Sequence, residues 1–71
     1  MNKGKSIDIL APREKQVFFY LLNGVKTKEI ANQLSLKANT ISTIKKVVYK
    51  KLELNSSMDL FKYGVENQLV K

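Results

Sequence analysis

The sequence contains no cysteine and no histidine, and it has one proline and three glycines. Without cysteine the chain forms no disulfide and offers no thiolate ligand. Without histidine it lacks the commonest metal ligand and the commonest general base. These absences exclude zinc modules, cysteine proteases and Ser-His-Asp hydrolases, and the six acidic residues are scattered rather than paired. We therefore expect no enzyme, no catalytic residue, no metal site and no cofactor.

One sign of charge dominates the chain. Thirteen lysines and arginines against six acidic residues give a formal net charge of +7 in 71 residues. This balance favours an anionic partner, with nucleic acid as the first candidate, although a charged, soluble surface explains the charge alone equally well. No stretch approaches the ~20 apolar residues of a membrane span, and no signal peptide is visible. We expect a cytoplasmic protein that has no membrane partner.

The spacing of apolar residues and the signals at helix ends predict four helices and no strand. Pro12 suits a first helical position, and Gly24 suits the residue after a helix. Thr27 is the expected N-cap of the second helix, and Ser56 with Asp59 resembles the capping box of the fourth. A three-residue connection of helix-turn-helix length joins the second and third helices. The predicted helices span about 12–23, 28–34, 38–52 and 57–68.

No helical signal occurs at the start of the chain. We therefore predict a flexible N-terminal arm or linker over residues 1–8. Residues 9–71 are then a single small domain, because 44% hydrophobic residues suffice for a packed core.

The third helix has two chemically distinct faces. The segment 30–52 contains five lysines and no acidic residue, whereas a solvated helix normally mixes charges of both signs. Hydroxyls, an aromatic ring and cations without acidic partners suit base edges and phosphates, so the pattern favours DNA recognition over a merely soluble face. Four apolar residues predict the core-facing side, Ile41, Ile44, Val48 and Leu52. The opposite side is predicted to carry Ser42, Thr43, Lys46, Tyr49 and Lys50.

A series of spaced residues over about 10–70 resembles a known bacterial family. The series comprises Leu10-Ala11-Pro12-Arg13-Glu14, Val17, Leu21-Leu22, Gly24, Thr27-Lys28-Glu29-Ile30-Ala31, Leu34, Asn39-Thr40-Ile41-Ser42-Thr43, Lys50-Lys51-Leu52, Leu60 and Leu69-Val70. On these residues the chain resembles the LuxR-type (GerE-type) helix-turn-helix family, the DNA-binding effector of FixJ/NarL-class response regulators. The resemblance implies an all-α, four-helix domain whose third helix, about 38–52, enters the major groove of double-stranded DNA. It further implies a sequence-specific transcription regulator that recruits or excludes RNA polymerase at a promoter.

The same resemblance assigns roles to individual positions. The positions that reach base edges in family members correspond here to Ser42, Thr43 and Lys46. The expected phosphate contacts are Thr27, Lys28, Thr40 and Lys50, together with Lys45 beside the apolar side of the third helix. The fourth helix, 57–68, forms a dimer in several members. We therefore expect a homodimer through the apolar stripe Met58, Phe61 and Val65, which no further element of this small domain would cover.

Four positions depart from the family pattern. Ala11 and Lys37 replace hydroxyl residues that commonly cap the first and third helices. Ser35 and Glu53 stand where glycine is common, and at Glu53 a left-handed backbone is favoured. These departures concern stability and helix ends rather than DNA binding.

Three other interpretations share some of these features. A sigma-factor promoter-recognition module has the first three helices but does not usually need a capped fourth one. A protein-interaction module could pair with a full-length regulator through the fourth helix, but the acid-free third helix argues against this as its sole role. Adsorption to an anionic membrane would need a free apolar face, and here the core uses the apolar faces.

Overall fold

The computed structural model describes residues 6–69, and this part of the chain contains α-helices but no strand. A single turn of 3-10 helix, Ile7–Ile9, comes before the α-helices. The all-α class is confirmed, and each predicted helix is present with ends that differ by at most two residues. None of the helices over residues 6–69 has the length and apolar character needed to cross a membrane. The helices are α1 (Pro12–Leu22), α2 (Thr27–Leu34), α3 (Ala38–Lys51) and α4 (Ser57–Glu66).

The second helix begins one residue earlier than the sequence predicts. Thr27 is its first helical residue, and Lys26 is the N-cap, with extended backbone angles (φ −75°, ψ 153°). The Lys26 carbonyl accepts the first helical hydrogen bond, from the N–H of Ile30 at 2.9 Å. Thr27 is therefore not a capping residue, and no side chain caps this helix end.

The capping pair of α4 forms in a modified way. Ser56 Oγ accepts a hydrogen bond from the N–H of Asp59 at 3.3 Å, as predicted. The Asp59 carboxylate, however, accepts from the N–H of Asn55 at 2.8 Å, one residue before the N-cap. Asp59 thus fixes the chain entering the helix rather than closing the box at Ser56.

Three non-glycine residues after helices adopt the left-handed conformation, Ser35, Glu53 and Gln68. Ser35 (φ 56°) follows α2 and Glu53 (φ 58°) follows α3, at the positions where the family commonly has glycine. The left-handed backbone of Ser35 turns the chain at the end of α2. The N–H of Leu36 then donates a hydrogen bond to the Ala31 carbonyl at 2.9 Å, and the helix ends there. The family's preference for glycine at these two positions therefore has a conformational cause.

The core consists of two hydrophobic clusters that share α3. The helix-turn-helix cluster comprises Val17, Ile30, Ala31 and Ile41. The α4 cluster comprises Leu10, Phe18, Leu22, Val48, Leu52, Leu60 and Tyr63. Leu21 and Ile44, both half-buried, pack against both clusters. The predicted apolar side of α3 is confirmed.

Tyr63 is a core residue that the sequence analysis does not predict. Its side chain is only 6% exposed, and its ring meets that of Phe18 edge-on at a centroid distance of 5.8 Å. Burial raises the pKa of the Tyr63 phenol, and the negative charge of Asp8 raises it further. Tyr63 therefore packs α4 against α1.

The start of the described chain departs from the expected flexible arm. Ser6 Oγ accepts a hydrogen bond from the N–H of Asp8 at 3.1 Å, and Ile7 packs against the α4 cluster. The Asp8 carboxylate lies 3.5 Å from the ammonium of Lys15 on α1. Residues 6–8 thus form a capped turn attached to the domain. Residues 1–5 and 70–71 lie outside the described part, and the predicted division of the chain otherwise remains a prediction.

Candidate nucleic-acid interface

The three residues expected to reach base edges lie on the exposed side of α3. Ile41 and Val48 are fully buried on the inner side of this helix. Ser42, Thr43 and Lys46 are all exposed to solvent. The packing of α3 against the rest of the domain therefore leaves these side chains available to a ligand.

The cations on this side have no acidic partner within residues 6–69. The ion pairs in that part of the chain are Lys15–Asp8 and Lys51–Glu14, at 3.5 Å and 2.9 Å. Lys46 and Lys50 belong to neither pair and are exposed. The outer side of α3 thus carries positive charge that the protein itself does not neutralise.

A shallow concavity joins the start of α2 to the middle of α3. It has a volume of about 380 Å³, and we call it the α2–α3 concavity. No side chain caps the α2 N-terminus, so the amides of its first turn have neither a helical nor a capping partner. Such amides and the helix dipole attract anions. The concavity is lined by Thr27, Ser42, Lys45, Lys46 and Tyr49.

The other predicted site residues lie around this concavity rather than in its lining. Lys28 is exposed in the first turn of α2, and Thr40 is exposed in the first turn of α3. Lys50 is exposed in the last turn of α3. The structure therefore brings Thr27 and Lys45 together with Ser42 and Lys46, two of the residues predicted to reach base edges, and spreads the remaining predicted residues along both helices.

Tyr49 does not lie on the outer side of α3, where the sequence analysis places it. Its side chain is half-buried and packs against the α4 cluster. With 3.6 residues per turn, a residue eight positions after Ile41 lies beside the apolar side rather than opposite it. The Lys45 ammonium lies 5.7 Å from the centre of the Tyr49 ring. This cation–π contact holds Lys45 along the helix, beside the concavity.

The Thr43 hydroxyl has a partner within its own helix. Thr43 Oγ1 donates a hydrogen bond to the backbone carbonyl of Asn39 at 3.1 Å, one turn earlier. Because a hydroxyl has a single proton, this bond uses the only donor of the side chain. The sequence analysis treats Thr43 as an available hydroxyl and does not detect this bond.

Lys51, unlike Lys46 and Lys50, has an acidic partner, in an ion pair that the spacing of the sequence does not reveal. Its ammonium lies 2.9 Å from Glu14 Oε1, and the same oxygen accepts the N–H of Ala11 at 2.9 Å. Two hydrogen bonds lower the pKa of Glu14, and the one from the Lys51 ammonium has a larger effect than the one from the Ala11 N–H. The pair joins the first turn of α1 to the last turn of α3.

A second candidate surface lies on α4. Met58, Phe61 and Val65 are 70%, 44% and 64% exposed, whereas Leu60 on the inner side is buried. These three residues, with Lys62 and Glu66, line a shallow depression of about 340 Å³. The predicted stripe is thus exposed along one side of the helix, which is the geometry that pairing of two copies requires.

Clusters of metal-ligating side chains would mark a different kind of site in the part of the chain that the structure describes. Within residues 6–69, no group of three or more acidic side chains is arranged to hold a metal ion. The chemical character of the candidate site is therefore that of hydroxyls, cations and helix amides.

Comparison with known proteins assigns the chain to a family. The family model described as bacterial regulatory proteins, luxR family, matches residues 8–63. The chain is 43% identical over 61 residues to the Fimbriae Z protein of Salmonella typhimurium, covering 86% of this chain and 29% of that protein. It is 32% identical over 65 residues to the DNA-binding transcriptional activator EvgA of Escherichia coli, covering 92% and 32% of the two chains.

A solved structure has the same fold. Full-length FixJ from B. japonicum superposes with a TM-score of 0.84 at 28% identity, covering 90% of this chain and 32% of that one. The chain therefore belongs to the luxR family of bacterial regulatory proteins, and its fold is the helix-turn-helix domain of that family. It spans about a third of the length of these relatives.

Proposed function

We propose that this chain binds double-stranded DNA in a sequence-specific manner and acts in transcription regulation. In this proposal α3 lies in the major groove, with Ser42, Thr43 and Lys46 at base edges. Thr27, Lys28, Thr40, Lys45 and Lys50 contact phosphates. One observation carries the proposal: the exposed side of α3 presents Ser42 and Lys46, which share a concavity with Lys45 and with the uncapped start of α2.

In this proposal the phosphate-contacting residues and the base-edge residues have different roles. Phosphate contacts from lysines and helix amides fix the position of a protein on the duplex but carry no base information. The Ser42 hydroxyl and the Lys46 ammonium supply hydrogen bonds to base edges in the major groove. Binding at a promoter then recruits RNA polymerase or excludes it. Because promoter DNA lies in the cytoplasm of a bacterium, we expect such a regulator to act there.

The exposed stripe on α4 supports a second part of the proposal, a two-fold homodimer. Met58, Phe61 and Val65 form an apolar surface, and a symmetric contact brings the same stripe of two copies together. Two copies related in this way place two α3 helices in successive major grooves of an operator with two half-sites. Because the stripe is short, we expect weak pairing in solution that DNA strengthens by holding two copies side by side.

The salt dependence of DNA binding tests the main proposal. A preferred site is selected from a random duplex library, and its dissociation constant is measured between low and physiological salt. Each phosphate contact adds about −0.9 to the slope of log K against log salt, so several contacts give a slope of magnitude several. Lys50→Ala should reduce the magnitude by about one.

Arg13→Ala is the matched control, because Arg13 is an exposed cation on α1 that lies outside the predicted contacts and outside the α4 stripe. It should leave the slope nearly unchanged. A binding curve that does not respond to salt, or a selection that returns no preferred sequence, would contradict DNA recognition by this domain.

A further inference from the structure

Thr43 presents a methyl group rather than a hydroxyl to whatever covers α3. Its side chain is exposed, and its hydroxyl is turned back to the Asn39 carbonyl at 3.1 Å. Because the hydroxyl proton is used on the helix, the Cγ2 methyl is the group of this exposed side chain that we infer is available to a partner. An exposed residue with a hydroxyl thus acts as a small apolar contact.

The neighbouring residues on the same side have the opposite chemistry. The exposed Ser42 hydroxyl makes no hydrogen bond to other residues within 6–69, so it can both donate and accept. The Lys46 ammonium offers donors only and suits the acceptors of guanine. Among Ser42, Thr43 and Lys46, Thr43 is therefore the one suited to an apolar feature of the DNA.

The major groove offers one apolar feature among the four bases, the C5-methyl group of thymine. We propose that Thr43 determines specificity by contact between its Cγ2 methyl and a thymine methyl in each half-site. The inference rests on the proposed function, because it needs α3 to lie in the major groove. It assigns the Thr43 hydroxyl to the helix and not to a base.

The experiment compares thymine with uracil, which differs only by lacking this methyl. In the duplex selected by the wild-type chain, each thymine is replaced in turn by deoxyuridine, and the dissociation constant is measured. Burial of one methyl contributes an amount equivalent to about three- to fivefold in affinity. We expect a loss of this size at one thymine per half-site.

Two variants at position 43 separate the methyl from the hydroxyl. Thr43→Ser keeps the hydroxyl and its bond to Asn39 but has no methyl, so it should bind thymine and uracil duplexes equally. Thr43→Val keeps a methyl and loses the hydroxyl, so it should retain the discrimination. Ser42→Ala removes a hydroxyl assigned to a base edge but no methyl, so it should weaken binding to both duplexes equally and keep the ratio between thymine and uracil.

The possible outcomes distinguish this inference from the proposed function. If the domain binds its preferred sequence but no uracil substitution changes the dissociation constant, the methyl contact is wrong and DNA recognition is unaffected. Unchanged discrimination in Thr43→Ser, or its loss in Thr43→Val, has the same consequence. If the selection yields no preferred sequence, both proposals fail.

Discussion

Glu14 and Lys51 connect the beginning of α1 with the end of α3. Glu14 Oε1 lies 2.9 Å from the Lys51 ammonium and also accepts the N–H of Ala11. One carboxylate thus satisfies the N–H of the N-cap residue Ala11, which is the half of a capping box that needs no hydroxyl at position 11, and fixes the last turn of α3. Lys50, the expected phosphate contact, belongs to that same turn.

The charge of Glu14 should contribute measurably to stability. Glu14→Gln keeps the size of the side chain and an acceptor for the Ala11 N–H but loses the ion pair. We expect a loss of about 1 kcal/mol at neutral pH, equivalent to roughly 4–8 °C in Tm for a domain of this size. Thermal unfolding followed by circular dichroism measures it. Glu29→Gln, an exposed first-turn acid of α2, is the control and should change Tm less.

The stabilisation by Glu14 should depend on pH in a defined direction. The hydrogen bonds from Lys51 and Ala11 lower the pKa of this carboxyl in the folded chain below the ordinary value of 4.5. Its contribution is therefore complete above the unfolded pKa and is lost as the pH falls through the folded pKa. The difference in unfolding free energy between wild type and Glu14→Gln should stay nearly constant from pH 7 down to about 5 and should shrink as the pH falls through and below 4.5. A difference that stays constant below pH 4.5 would argue against the ion pair.

Replacing the left-handed residue after α3 with glycine should stabilise the fold. Glu53 has a φ of 58°, a conformation that costs a side-chain-bearing residue roughly 1–2 kcal/mol and glycine almost nothing. Part of this gain is offset by the greater freedom of glycine in the unfolded chain. We expect Glu53→Gly to raise the unfolding free energy by about 0.5–1 kcal/mol in denaturant titrations. Glu53→Gln removes the same charge without glycine and should give no such gain.

Lys46 and Lys50 should affect DNA binding differently. Lys46 lines the α2–α3 concavity beside Ser42, whereas Lys50 lies outside it in the last turn of α3. Lys46→Ala should cost roughly 1–3 kcal/mol on the preferred site and relax discrimination at one base position. Lys50→Ala should weaken preferred and scrambled duplexes about equally. Equal losses of Lys46→Ala on both duplexes would reject its assignment to a base edge.

A negative charge in the α4 stripe should prevent pairing without affecting α3. Val65 is 64% exposed, so Val65→Glu is compatible with the fold and brings like charges together in a symmetric contact. We expect loss of cooperative binding to a duplex with two half-sites and normal binding to a single half-site. Sedimentation and footprinting measure both, with Gln16→Glu on α1 as the control of equal charge change. Normal pairing of Val65→Glu on DNA would show that the interface lies elsewhere.

Local and periodic features of this chain could be predicted from its sequence. The spacing of Ile41, Val48 and Leu52 predicts both α3 and its buried side, because side chains recur with a fixed period around a helix. The same period leaves Met58 and Val65 outside the core. The left-handed position at Glu53 was predicted because a family pattern favours glycine there.

The features that escaped prediction depend on contacts distant in sequence or on a choice between partners. The pair of Glu14 and Lys51 joins residues 37 positions apart, and no local spacing encodes such a contact. Tyr63 has a polar hydroxyl and an apolar ring, and only the packing against Phe18 decides that it is buried. The sequence does not show whether the Thr43 hydroxyl bonds to its own helix or remains available to a ligand. In the structure it bonds to the Asn39 carbonyl.

The side chains of α3 that hold the domain together and those that we propose contact DNA form separate sets. Ile41 and Val48 belong to the core, whereas Ser42, Thr43 and Lys46 are exposed and contribute nothing to it. Substitutions of exposed residues of this kind usually change the free energy of unfolding by less than about 0.5 kcal/mol. Selection can therefore exchange the three exposed side chains and retarget the protein to a different operator without rebuilding its core. One stable scaffold of this type can in this way supply many regulators, each with its own set of promoters.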